Sequence, residues 1–237
     1  MIKPLYILIF LFFDSYSQKI NSGVVTYGIK LIHKKDSASQ KLMLEMHPNF
    51  FNVANEIEFE LSFNSNQSFF TEKTKMYSDQ QTAFTILAKI AIFGNTKIKS
   101  DSIYKEYIIE NIGQYIVKSE TLKNWQITEE TKKIDKFVCY KATNEVIITN
   151  PRGTFKHPVI AWFCPEIPFQ YGPNGFGGLP GLILEIQTTV GVFGAKKITL
   201  SKEIRKISGL KNLEIVSETE YDKISIDNYK AFLESQK

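Results

Sequence analysis

Acid–base, nucleophilic and metal chemistry all need side chains that can meet, and this chain offers few of them. Its histidines are His33, His47 and His157, each isolated in sequence. None forms an i,i+2 or i,i+4 pair, and neither Cys139 nor Cys164 belongs to a Cys-x-x-Cys, so no zinc-type ligand set is spelled out. Cys164 and His157 have the types of a thiol nucleophile and its base. Seven residues of extended chain would hold them about 23 Å apart at about 3.3 Å per residue, too far to meet without a fold-back. Glu166, inside Pro165-Glu166-Ile167-Pro168, is a lone carboxylate. Glycoside hydrolysis takes two, and a single one more commonly serves as a cap or turn acceptor. These residues name no catalytic group, no cofactor and no metal ligand.

What the chain concentrates instead is backbone conformation. Five glycines and two prolines fall within the ten residues Gly172–Gly181, and the strand-like run Leu182–Ile186 follows. Gly supplies positive φ and Pro fixes φ near about −65°, so such a cluster specifies one loop shape. Leu179-Pro180-Gly181-Leu182 fits a type II turn with Gly181 at the position that needs positive φ. It is not a phosphate loop, because it lacks a Gly-Lys-Ser/Thr ending and precedes a strand rather than a helix. The rigid loop and its aromatic neighbour make a candidate recognition face: Trp162, Glu166, Gly172, Pro173, Gly178, Leu179, Pro180 and Gly181.

Most of the chain reads as short strands rich in β-branched and aromatic residues. They are Val24–Ile32, Ile57–Phe63, Tyr104–Ile109, Tyr115–Lys118, Phe137–Ile148, Val159–Phe163, Leu182–Thr188 and Ala195–Leu200. In Leu182–Thr188, alternation puts Leu182, Leu184 and Ile186 on one face. Helices are expected at 81–93, from Pro48 to about Glu56, and at Ile226–Ser235 with Ser225 as cap and Tyr229, Phe232 and Leu233 as apolar face. The fold class is mainly β (α+β). We expect a single curved antiparallel sheet, half-barrel-like, with one or two packing helices and a short C-terminal helix.

A hairpin turning at Asn150-Pro151-Arg152-Gly153 would join Phe137–Ile148 to Val159–Phe163. Pairing about that turn sets Lys141 opposite Trp162, Ala142 opposite Ala161 and Cys139 opposite Cys164. Lys141 would then make a cation–π contact with Trp162 or cover it with its alkyl stem. The two alanines would allow another element to approach closely.

Lys3, the apolar core Leu5–Phe13 and the small residues Ser15 and Ser17 read as a secretory signal, cleaved near Ser17/Gln18. Nine apolar residues are too few to span a bilayer, which takes about 20. Residues 18–237 then form one β-rich domain, with no Gly/Ser/Pro-rich linker dividing it and no transmembrane span. An exported chain with two cysteines meets an oxidising compartment. A Cys139–Cys164 disulfide is therefore expected, adding about 3 kcal/mol by chain-entropy arithmetic, with two buried free thiols as the alternative. The net charge of +4 is spread rather than clustered, which argues against nucleic acid as a partner.

The six residues Gly178–Ile183 spell GLPGLI and resemble the motif that names the GLPGLI family of Bacteroidota cell-envelope proteins, whose activity is not established. The resemblance extends through Trp125, Lys132-Lys133-Ile134, Cys139-Tyr140-Lys141-Ala142, Ala161 to Pro168 and Gly172-Pro173, in that order. The chain departs from the family pattern at Lys136, where Gly is expected, and at Cys164, where Thr or Ser is expected, so the disulfide would not be a family-wide feature. The resemblance implies a periplasmic location, or secretion beyond the outer membrane, and a link to TonB-dependent outer-membrane transport. The leading functional expectation is a non-enzymatic binding or accessory protein whose partner is an envelope protein or an amphiphilic ligand. The alternatives are an envelope hydrolase with an unrecognised site and a periplasmic lipid or lipoprotein carrier. A dry apolar cavity of roughly 300–1,000 Å³ would favour the carrier, convergent carboxylates the hydrolase, and an exposed apolar patch beside residues 172–181 a protein partner.

Overall fold

The computed structural model describes residues 19–33, 48–73, 94–109, 113–150 and 153–235, together with isolated positions between 37 and 45. The expected signal segment 1–17, the helix at 81–93 and the tip Pro151-Arg152 lie outside the described residues.

Strand formation follows the apolar and β-branched runs. Five strands, β2 (Glu58–Asn64), β3 (Gln67–Glu72), β4 (Thr96–Lys99), β5 (Ser102–Ile109) and β6 (Gly113–Glu120), form one antiparallel meander. A second runs through β7 (Gln126–Ile134), β8 (Phe137–Asn150), β9 (Gly153–Cys164), β10 (Leu182–Gln187) and β11 (Gly191–Ser201). The first strand, β1 (Ser22–Leu31), zips the two together by pairing with β2 on one side and β11 on the other. β12 (Glu214–Ser217) joins the far edge and is parallel to β6, a departure from the antiparallel expectation. Among the described residues this makes one open sheet in the order β12-β6-β5-β4-β3-β2-β1-β11-β10-β9-β8-β7.

The sheet is strongly curved. β5 and β9 stand seven places apart in that order, roughly 34 Å across a flat sheet at about 4.8 Å per strand. Ile103 and Lys105 of β5 nevertheless line the same hollow as His157 and Val159 of β9. The curve stops short of closure, so the shape is a half-barrel rather than a barrel.

The core fills the inside of the curve. Phe59 stacks on Phe70 with ring centroids 5.3 Å apart, and Phe193 meets both edge-on at 5.4 and 5.9 Å. Tyr27 is fully buried and donates its hydroxyl to the Ile183 carbonyl at 2.6 Å. That bond satisfies the one polar atom of its ring in a dry setting, and burial pushes the phenol well above its ordinary range. Among the described residues, two named helices accompany the sheet. α1 (Phe50–Asn55), within the segment expected from Pro48 to Glu56, buries Phe50, Val53 and Ala54. Its Asn55 side chain accepts the Leu31 backbone N–H at 2.9 Å, tying the helix to β1.

Two expectations need correcting. The C-terminal helix, α2 (Glu218–Ser235), begins two turns before the expected cap, so Ser225 lies inside it. The start is a capping box at Ser217-x-x-Glu220: the Glu220 N–H donates to Ser217 Oγ at 3.2 Å, and Glu220 Oε2 accepts the Ser217 N–H at 2.8 Å. In β10, Leu182, Leu184 and Ile186 do not share a face. The register slips between Ile183 and Glu185, so Leu184 is an extra, bulged residue, and all three leucines and isoleucines from 182 to 184 are buried.

Candidate functional site

The Gly/Pro loop between β9 and β10 runs through the inside of the curved sheet. A tight turn closes behind Cys164, whose carbonyl accepts the Ile167 N–H at 3.2 Å, and Ile167 in turn accepts the Leu182 N–H at 2.9 Å. The Ile183 N–H reaches the Tyr171 carbonyl at 2.9 Å, and the Gly178 N–H reaches Gln170 at 3.1 Å. From these anchors the loop crosses to the opposite wing. A Cβ at Gly175 would lie 3.2 Å from Thr96 and 3.3 Å from Ile103, and one at Gly177 would lie 3.4 Å from Ile98. Trp125, just before β7, donates its indole N–H to the Gly177 carbonyl at 3.0 Å. The loop is thus an internal plug that braces the two wings.

Its glycines work differently from the expectation. Asn174, Gly175 and Gly178 hold positive φ (52°, 86° and 81°), whereas Gly181 is not left-handed. The Gly181 N–H bonds to the Leu179 carbonyl at 2.8 Å, so Pro180 centres a three-residue turn and the type II assignment falls. Gly181 is needed for space: a Cβ there would sit 2.3 Å from the Cys164 carbonyl oxygen and 2.6 Å from its carbon.

Of the candidate recognition residues, Gly172, Pro173, Leu179 and Gly181 are buried, Trp162 is half-buried, and Glu166, Gly178 and Pro180 are exposed. The β8–β9 register is the one read from the turn, with Lys141 opposite Trp162 and Ala142 opposite Ala161. Lys141, however, turns to Glu130 Oε1 at 2.8 Å. The cation over Trp162 is Lys132 from β7, 4.5 Å from the ring centroid and ion-paired to Glu185 at 2.7 Å.

The expected disulfide is absent. Cys139 and Cys164 are buried free thiols. Their mutual hydrogen bond raises Cys139, with burial adding to it, and lowers Cys164, on which the backbone amides of Glu166 and Ile167 act in the same direction against burial. The alternative, two buried thiols packed as small apolar side chains, is the arrangement observed. Among the described residues, no group of three or more His, Cys, Asp or Glu is placed to hold a metal ion.

What sequence reasoning missed is the hollow beside the plug. It encloses about 520 Å³. Ile103, Lys105, Tyr107 and Val117 form one wall, Val146, His157 and Val159 the other, and Ile29 and Phe193 the floor, while Asn174–Phe176 of the plug close one end. The lining is chiefly apolar. Lys105 is its cation and Glu218 its carboxylate. Burial pulls the Lys105 amine below the ordinary lysine range, and burial followed by Asp222 raises the Glu218 carboxyl. The rim is apolar as well: Ile148 and Val190 are 47% and 53% exposed, and Phe155, opposite Ile148 on the hairpin, is 42% exposed.

No helix among the described residues is long and apolar enough to cross a membrane. Two crystal forms of PNGF-II are similar in fold. They match at TM-scores of 0.52 and 0.51 with 15% and 14% sequence identity, over 86% of this chain. The chain spans about a third of the PNGF-II chains, 33% and 32%. No curated protein matches it. Residues 152–185, which run from the β8–β9 turn through the plug and into β10, match a family described as "Protein of unknown function (Porph_ging)".

Proposed function

We propose that this chain is an exported binding protein of the cell envelope whose hollow holds an apolar or amphiphilic small molecule. The carrying observation is the hollow itself, about 520 Å³ of chiefly apolar lining inside a half-barrel, within the range of sites that enclose a small ligand (roughly 300–1,000 Å³). The exposed apolar rim at Ile148, Phe155 and Val190 supports loading from an apolar surface. The hydrolase alternative has less support, since Glu218 alone among the described lining residues is a carboxylate and glycoside hydrolysis takes a pair. The GLPGLI resemblance, the match over residues 152–185 and the signal-like N-terminus together support a periplasmic place and an accessory role beside TonB-dependent transport.

The test is affinity capture of tagged protein from its own envelope, read for both lipids and proteins. We expect an organic-solvent extract to contain one amphiphile at near-stoichiometric amount. A protein partner captured with no extractable amphiphile would contradict the reading.

A further inference from the structure

The hollow contains a cation, Lys105, that no carboxylate among the described residues pairs with. Lys105 lies on the face of β5 that carries Ile103 and Tyr107 into the hollow, opposite Val117 on β6. Its amine has Asn174 Oδ1 at 3.4 Å, a long contact, and the Tyr107 ring at 5.4 Å. Among the described residues no carboxylate forms an ion pair with it, although Glu218 shares the lining. Withdrawing an ammonium from water is unfavourable unless an anion or a full set of acceptors replaces the lost hydration. Neither contact supplies that charge, so the missing partner is one a ligand can bring. Among the described residues the lining offers no second lysine or arginine, which matches a single negative charge and leaves a phosphate monoester's second charge unpaired. The apolar walls beside Lys105 suit a hydrocarbon chain.

We propose that Lys105 receives the head of a single-chain anionic amphiphile, a long-chain carboxylate, whose tail fills the hollow. This rests on the ligand-holding reading above and names its ligand class.

The test is displacement of the uncharged fluorophore N-phenyl-1-naphthylamine by decanoate, decan-1-ol and decyl phosphate, on parent protein, Lys105→Met and Lys105→Arg. The parent is expected to bind decanoate at least tenfold more tightly than decan-1-ol, and decyl phosphate no more tightly than decanoate. Lys105→Met should lose that tenfold preference with decan-1-ol binding and the thermal midpoint retained, and Lys105→Arg should keep it. Equal affinity of the parent for decanoate and decan-1-ol overturns the inference while leaving the ligand-holding reading in place. So does a decanoate affinity untouched by Lys105→Met, or a tenfold preference for decyl phosphate. Failure of both decanoate and decan-1-ol to bind the parent overturns the two readings together.

Discussion

Gly181→Ala is expected to destabilise the protein by about 3 kcal/mol, at the upper end for an overpacked core. In a chain of this size that lowers the thermal midpoint by roughly 6–12 °C. The added methyl would stand 2.3 Å from the Cys164 carbonyl oxygen, 2.6 Å from its carbon and 2.9 Å from the Pro165 Cα. All three are backbone atoms at the point where the plug rejoins the sheet, and Leu182 pairs directly with Cys164 there. No side chain can swing aside, so relief requires β9 and β10 to part. Gly209→Ala is the control, because a Cβ there meets nothing within 4 Å, and its effect should stay within about 0.5 kcal/mol. Midpoints for the two variants that agree within error would show that the loop does not re-enter the sheet this way.

Phe169→Ala is expected to be as damaging, at about 3–5 kcal/mol, measured as a lowered denaturant midpoint. Phe169 packs the plug against the first meander. Its ring is 7% exposed and its centroid lies 4.8 Å from that of Phe63, which is fully buried on β2. Truncation leaves a void between the loop and the sheet that the pinned backbone cannot close, since Ile167 and Tyr171 on either side are held by bonds to Leu182 and Ile183. Phe169→Leu should recover most of the loss. A change below about 1 kcal/mol for the alanine variant would mean that the plug is not packed against β2.

The parts of this fold that were legible in the sequence are those set by local chemistry. The β8–β9 register followed from one Asn-Pro-Arg-Gly turn, and its Lys141–Trp162 and Ala142–Ala161 pairs are observed. The short helix α1 followed from Pro48 and the apolar residues after it. The strands that escaped are polar or brief. β7 carries four charged residues, Glu129, Glu130, Lys132 and Lys133, because it is an edge, where charge deters further pairing.

The plug's workings were hidden for a different reason. Pro180-Gly181 satisfies a type II turn locally, yet Gly181 is selected by the backbone of Cys164, a contact across 17 residues that no local pattern encodes. The bulge at Leu184 was invisible because Leu182, Ile183 and Leu184 are apolar on both faces. Lys105 was ambiguous in the same way. In Ile103-Tyr104-Lys105-Glu106-Tyr107 both alternating faces mix apolar and charged residues. Glu106 is buried on the other face, and there Asn95 and the Lys211 backbone N–H satisfy it at 2.8 and 2.7 Å. On one strand the lysine is thus half-buried and the glutamate buried, and the glutamate has its partners within the protein.

The measurement that bears most directly on the hollow as the binding site is a fluorescence titration of N-phenyl-1-naphthylamine against the parent and Val146→Trp. Val146 lines the hollow from β8, opposite His157, and is only partly buried, so a larger ring can enter the space without rebuilding the core. If the hollow is the binding site, the parent binds the fluorophore saturably and Val146→Trp binds it at least tenfold more weakly, with thermal midpoints alike. Equal binding by the two proteins would contradict it.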